Sequence, residues 1–282
     1  MDINYILPKS LSSKSALFIS KMYDDRKSIF TTREALKILS LDAKPLQKFL
    51  NPLLKKGIIK RIIPGLYTIV PFEIGGSKEY MPNPYIVARE IVRMKLSDSP
   101  FYIAFGSAME IHQMVTQPQL AVYTVVPKQI KQKINVTGTE FKFVTVKDDA
   151  IFGFKKSWVD KSEMIYVSDL EKTVIDGLKI PLYCGGILEV AKGLWMKRND
   201  VNPLRLLEYA KKTNSGAVFR RLGFVLELLK INCPEVISIL QEELTAEYQL
   251  LDPSLLKEGK YNSRWKLRLN ISEDELLSAL RT

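Results

Sequence analysis

The residue pattern predicts an α+β fold: an N-terminal winged helix-turn-helix, then a mixed sheet-and-helix domain, then a helical C-terminal part. Three observations predict it. Residues 11–57 carry three helical signals, followed directly by a hairpin signal at 58–70. Aromatic and β-branched runs cluster between 101 and 167. Helix caps and apolar stripes of helical period return from Ser168 onward. The predicted boundaries are 1–72 for the winged helix, 85–180 for the α+β middle domain and 181–282 for a helical region packed on it.

The first helix is expected over residues 11–25, which include Phe18 and Met22 among their apolar positions. The second opens at Thr31-Thr32-Arg33-Glu34, a capping box in which Thr31 accepts from the Glu34 amide while Glu34 reaches back. Ala35, Ile38 and Leu39 then form one stripe, and Ser40-Leu41 a short turn. Asp42 is placed to cap the third helix, with Pro45 tolerable in its first turn. Leu46, Phe49, Leu50, Leu53 and Leu54 make one continuous apolar face, and Lys44, Gln47, Lys48, Asn51 and Lys55 lie opposite. Lys56 and Gly57 close the helix. Pro52 removes an amide donor and crowds the Lys48 carbonyl, so a kink or an early end is expected there. Two β-branched runs, 58–62 and 66–70, flank Pro64-Gly65 as the arms of a hairpin.

Pro71, Gly75, Gly76, Pro82 and Pro84 mark a linker, and a helix follows over 85–94. Strands are expected at 101–105, 120–126, 140–146 and 164–167. The third of these alternates imperfectly and reads as covered on both faces. Ser107 is placed to cap a short helix containing Met109 to Met114, and Ser168 or Asp169 a longer one with Glu171 in its first turn. Asn202-Pro203 and Pro234 open two more. Phe219, Leu222, Leu226 and Leu229 form a further stripe, and a capping box at Ser272-Glu273-Asp274-Glu275 opens the last helix, with Leu276, Leu277 and Leu280.

Charge is unevenly spread. The chain carries a net +11, and residues 1–70 alone hold 13 Lys+Arg against 5 Asp+Glu. A quarter of the chain therefore holds most of the excess, which attracts phosphate-rich partners. In helix-turn-helix modules the second helix of the pair enters the major groove. Gln47 and Asn51 then face adenine edges, lysines take phosphate or guanine, and Lys60 and Arg61 in the wing follow the backbone or minor groove. The residues expected to touch double-stranded DNA are Thr32, Arg33, Lys44, Gln47, Lys48, Asn51, Lys55, Lys56, Lys60 and Arg61. Winged helices also mediate protein–protein contacts; the local charge favours DNA.

No apolar run approaches the roughly 18 residues a membrane span needs, and residues 1–10 lack the pattern of a signal peptide, so a cytoplasmic protein is expected. Catalysis is not expected, nor is a cofactor or metal. His112 is the single histidine, too few for a multi-histidine metal centre, and beside Met109 and Met114 it reads as a satisfied core or interface residue. Phosphate loops and dinucleotide fingerprints are lacking, and Gly185-Gly186 alone says nothing. Cys184 and Cys233 stand far apart and read as buried thiols. Asp169, Glu171 and Asp176 have a spacing that could hold a divalent metal, the basis of an alternative reading as a nuclease or nucleotidyl-transfer enzyme with a winged-helix targeting module. Acids in a first helical turn are expected from the macrodipole alone, so a capping and buried-polar role is preferred. Arg220-Arg221 either extends a nucleic-acid footprint or, more commonly, forms a solvated pair or a salt bridge with Glu227.

The order of motifs is informative: Gly57, then Pro64-Gly65-Leu66-Tyr67; Phe105-Gly106-Ser107-Ala108-Met109-Glu110-Ile111-His112; Val167-Ser168-Asp169-Leu170-Glu171-Lys172-Thr173-Val174-Ile175-Asp176; Gly185-Gly186-Ile187-Leu188-Glu189-Val190; and Arg221-Leu222-Gly223-Phe224-Val225-Leu226-Glu227. In this order and spacing the chain resembles the AbiEi family of type IV antitoxins and related transcriptional regulators. The resemblance spans 28–229 and leaves the segment after Cys233 without a family signal. It implies a repressor of its own toxin–antitoxin operon that binds inverted repeats as a homodimer or as monomers side by side. It also implies a functional partner, a nucleotidyltransferase-like toxin, counteracted by the C-terminal region generally without a stable complex. Pro52 and the long C-terminal tail depart from the family pattern.

Overall fold

The computed structural model describes residues 11–74, 80–130, 133–159 and 163–280. Gly75 and Gly76 of the expected linker, and the N-terminal ten residues, lie outside them. The described residues form a mixed α+β structure of eleven α-helices and three sheets. They divide into two compact units: one drawn from Met1–Ser99, Ile134–Glu140 and Trp158–Met164, the other from Pro100–Lys133, Phe141–Ser157 and Ile165–Thr282.

The N-terminal unit contains α1(Ser13–Asp24), β1(Ile29–Thr31), α2(Thr32–Leu39), α3(Ala43–Lys55), β2(Ile59–Ile63), β3(Leu66–Ile69) and α4(Pro84–Leu96). Its antiparallel sheet has the order β1-β3-β2. Strand β1 was not expected; three residues are too few to show a period, and they are held by pairing Ile29 with Thr68 and Thr31 with Leu66. Phe18, Met22, Phe30, Leu46, Leu50 and Leu53 fill the core, with Phe18 edge-on to Phe30 at 5.1 Å. Helix α4 packs on β1 and β3.

The α2 capping box forms as expected: the Glu34 amide donates to Thr31 Oγ1 at 3.1 Å and the Thr31 amide to Glu34 Oε2 at 2.8 Å. Asp42 does stand at the start of α3, but its side chain makes no capping bond. Helix α3 also runs through Pro52 to Lys55 rather than ending early. Pro52 costs the helix only the bond to the Lys48 carbonyl, and both residues are exposed, while Leu46, Leu50 and Leu53 remain buried on the other side. Gly57, at φ +63°, ends the helix: its amide donates to the Leu54 carbonyl and the Ile58 amide to the Leu53 carbonyl, which is a Schellman closure.

The larger unit is built on a mixed six-stranded sheet ordered β6(Lys133–Val136), β7(Thr139–Thr145), β5(Ala121–Val126), β4(Tyr102–Ile103), β9(Met164–Ser168), β8(Phe154–Trp158). The ends of its two outer hairpins, 134–140 and 158–164, group with the N-terminal unit. The four expected strands appear; β6 and β8 are additional edge strands. In β7, Phe141 and Phe143 are buried while Lys142 and Val144 are half-buried, so the second face is only partly covered.

Helices α5(Phe105–Ile111), α6(Leu170–Lys179), α7(Ile187–Met196), α8(Pro203–Thr213), α9(Gly216–Leu228), α10(Pro234–Glu242) and α11(Glu273–Ala279) complete this unit. Ser107 does not cap α5: Ala104 holds that position, and Ser107 sits buried inside the helix, donating to the Ala121 carbonyl and accepting from the Tyr123 amide. Asp169 and Asn202 cap α6 and α8 as expected. The C-terminal part is not wholly helical. It contains a second small sheet, β10(Gln249–Leu250), β12(Leu267–Leu269), β11(Lys260–Asn262), in that spatial order. Trp265 from this region packs on α9 at Gly223, where any Cβ would collide with the indole ring.

Candidate nucleic-acid interface

Burying Leu46, Leu50 and Leu53 turns the opposite face of α3 outward. Lys44, Gln47, Lys48, Asn51 and Lys55 are all exposed there. Gln47 and Asn51, one turn apart, are linked by a 2.8 Å hydrogen bond from Gln47 Nε2 to Asn51 Oδ1. The result is a row of two amides bracketed by three lysines, with Lys56 exposed at its end. Half of the residues expected to touch DNA therefore share one face of one helix.

The others are dispersed. Thr32 is half-buried at the start of α2; its amide donates to the Gly65 carbonyl at 2.9 Å, and its hydroxyl to the same oxygen at 3.3 Å. Gly65, at φ +86°, belongs to the tight Pro64-Gly65 turn, so the hairpin tip is pinned to α2. Arg33 is exposed beside a cleft of about 410 Å³, with Lys27, Glu34, Glu90 and Arg93 around it. Arg61 is exposed on β2. Lys60 is half-buried and donates to the Tyr80 carbonyl at 3.0 Å and to Thr137 Oγ1 at 3.4 Å, an internal tie that sequence reasoning missed. Lys27 was missed as well; its ammonium meets the Glu34 carboxylate at 2.6 Å, seven residues away. Burial pushes the Glu34 carboxyl up, but its bonds from Lys27 and Thr31 outweigh this and leave it below the usual range.

In the larger unit the three acids of the metal-dependent alternative each have partners on the chain. Asp169 accepts from the Lys172 amide and the Tyr209 hydroxyl, both at 2.8 Å. Glu171 accepts from the Asn202 amide at 2.8 Å. Asp176 is buried against the Lys172 ammonium; burial pushes its carboxyl up and Lys172 opposes this. Among the described residues, His, Cys, Asp and Glu nowhere form a group of three or more placed to hold a metal ion. His112 donates through Nε2 to the Ser168 carbonyl at 2.7 Å, and burial lowers its imidazole pKa. Cys184 and Cys233 are buried thiols, both raised by burial.

Arg220 and Arg221 are neither solvated nor paired with Glu227. Arg220 donates to the carbonyls of Gly216, Thr245 and Glu247, and Arg221 to those of Leu178 and Leu250. Burial pushes the Arg221 guanidinium down to about 10. Glu227 instead accepts from Arg264 and from the Trp265 indole. Among the described residues no helix is long and apolar enough to cross a membrane.

No protein-family model matches the chain, and no curated protein matches it. Among solved structures its fold is similar to that of the RV2827C protein from Mycobacterium tuberculosis, with a TM-score of 0.70 and 14% identity over 97% of this chain and 96% of that one. At that identity the likeness is one of fold.

Proposed function

We propose that the N-terminal unit is a winged helix-turn-helix that binds double-stranded DNA, with α3 in the major groove, and that the protein is a cytoplasmic transcriptional regulator. The observation that carries this reading is the outward row Lys44, Gln47, Lys48, Asn51 and Lys55, backed by a buried apolar stripe. Order supports it as well: helix, short strand, helix, helix and hairpin follow one another in the segment that holds most of the excess positive charge. Arg61 and Arg33 are exposed as well, and in this reading the pinned hairpin makes only a short wing. The resemblance to AbiEi antitoxins narrows the role to an autorepressor of a toxin–antitoxin operon. It would act on an inverted repeat through two copies and counter a nucleotidyltransferase-like toxin. The carboxylates of the metal-dependent alternative lend it little, since their hydrogen bonds go to their own chain.

The test is a salt titration of binding to the DNA upstream of the protein's own gene. Lysine–phosphate pairing releases counterions, so log affinity falls linearly with log salt. Replacing Lys44, Lys48 and Lys55 with Ala is expected to flatten that slope by about 0.9 for each phosphate left without its lysine. Replacing Gln47 or Asn51 with Ala is expected to relax base preference and leave non-specific binding in place. Unchanged affinity and slope in the triple-lysine variant would remove α3 from the interface.

A further inference from the structure

The small C-terminal sheet has two unlike faces. On β12, Leu267 is fully buried and Leu269 packs against the same core. Arg268, between them, points the other way, because side chains alternate along a strand. The register sets Arg268 beside Tyr261 of β11 and Leu250 of β10. Tyr248 lies just before β10 and Lys266, at φ +49°, in the turn before β12, so their contacts rather than strand period bring them to this face. The side chains meet accordingly. Lys266 Nζ lies 5.6 Å from the Tyr248 ring centre, and the Arg268 guanidinium lies 5.4 Å from that of Tyr261. The rings touch edge to face at 5.0 Å, yet Tyr261 stays 62% exposed and Tyr248 41%.

Arg268 differs from the arginines of α9. Arg220 and Arg221 are satisfied by backbone carbonyls, as a structural arginine is. Arg268 Nε is shut off from water with no hydrogen-bond partner among the described residues. Such a donor is costly to leave unmade. Around it the chain is poor in acid: between 257 and 268 stand Lys257, Lys260, Arg264, Lys266 and Arg268 against Glu258 alone. Arg264 is taken by Glu227, and Lys260, although exposed, pairs with Leu269 and so stands on the other side of the strand from Tyr261.

Exposed rings on a sheet face, each beside a cation, suit a ligand with flat π-faces joined by phosphates. Single-stranded nucleic acid is that ligand, because its bases are free to stack while its backbone meets the cations. A duplex keeps its base faces to itself. We propose that the outer face of β10-β12-β11 binds single-stranded nucleic acid. Bases stack on Tyr261 and Tyr248, and phosphates are held by Lys266 and Arg268. This surface belongs to the larger unit and does not depend on the duplex-binding role of α3.

The experiment uses the full chain and two labelled homopolymers of about 15 nucleotides, oligo-U RNA and oligo-dT DNA, followed by fluorescence anisotropy at low and physiological salt. Binding of at least one is expected, and the two arms tell whether the natural ligand is RNA or DNA. Tyr261→Ala is expected to weaken it about 5- to 150-fold, the range for removing one stacked base. Tyr261→Phe, which keeps the ring, is expected to stay within about 2-fold. Lys266→Glu reverses one charge of the outer face, outside the strands, and supplies the charge test should Tyr261→Ala unfold. The triple-lysine variant of α3 is expected to bind as the parent does. Failure of both oligomers to bind at low salt, parental affinity in the charge-reversed variant, or loss of binding in the α3 variant alone would each overturn the proposal.

Discussion

Helices α3 and α9 have the same length, 13 residues, and each carries basic side chains, yet they place those charges oppositely. On α3 the apolar residues occupy one stripe, so Lys44, Lys48 and Lys55 are left in solvent. On α9 the residues Val218, Phe219, Leu222, Phe224, Val225 and Leu226 surround the axis and are all buried. A helix apolar all round lies inside, and whatever polar residues it bears go in with it. Arg220 and Arg221 then survive only by finding carbonyls. A basic residue therefore says little about a surface until the width of the apolar stripe beside it is known.

The sharpest way to break this comparison is to neutralise one cation of each helix. Arg221→Met strands the buried Leu178 and Leu250 carbonyls and is expected to cost about 3–5 kcal/mol in denaturant unfolding. Lys48→Met is expected to stay within about 0.5 kcal/mol of the parent in stability, with its effect on duplex-DNA affinity. Similar stability losses in the two variants would show that α3 is not the solvated helix described above.

A smaller effect is expected at the buried pair Lys172–Asp176 on α6, where cation and anion share one helix face. Lys172→Met leaves the carboxylate in the core without its cation, held only by the Tyr102 hydroxyl at 3.4 Å, at a cost of about 3 kcal/mol near neutral pH. The double variant Lys172→Met/Asp176→Leu is expected to recover most of it, because no unpaired charge remains. The pH dependence has a definite sign. Burial already raises the Asp176 carboxyl in the folded protein, and removing Lys172 takes away the largest of the effects that opposed it, leaving Lys179 and the Tyr102 hydroxyl. The folded state of Lys172→Met then binds a proton more tightly than the unfolded state. Its stability should rise as pH falls through the raised value. Thermal melts between neutral pH and pH ~5 read this out, and a flat profile would mean that Asp176 has found another donor.

What the sequence made legible was local. The capping box at Thr31, the apolar stripe of α3, the Pro64-Gly65 turn and the caps at Asp169 and Asn202 depend on residues within two turns of each other, and all appear in the structure. The outward row on α3 was legible for the same reason, since helical period alone sets it. The misses depend on distant partners. Lys60 looked free because Tyr80 and Thr137 lie 20 and 77 residues away. Thr32 looked open to DNA because Gly65, whose carbonyl takes its hydroxyl, lies 33 residues away. Strands β1, β6 and β8 are short or at sheet edges and show no period of their own. Tyr248 and Tyr261 become neighbours only through the register of β10, β12 and β11.

The two capping boxes give the finest version of the contrast between covered and uncovered ends. At α2 the box is half-covered and Lys27 joins it; at α11 the Ser272–Glu275 box faces solvent at the start of a seven-residue helix. Thr31→Ala is expected to cost about 1 kcal/mol, and Ser272→Ala less, because water replaces its bonds readily and α11 is short. Both carboxylates lie below their usual range. Burial works against this at Glu34 and is overcome by Lys27 and Thr31; at Glu275 the Ser272 amide leads. A depressed folded value means stabilisation that is present above the unfolded value and lost as pH falls through the folded one. The gap between parent and Thr31→Ala should therefore narrow as the pH drops below about 4. A gap that holds constant through that window would mean that the Thr31 hydroxyl acts through its bond to the Glu34 amide alone, leaving the Glu34 carboxylate with no share in fixing the start of α2.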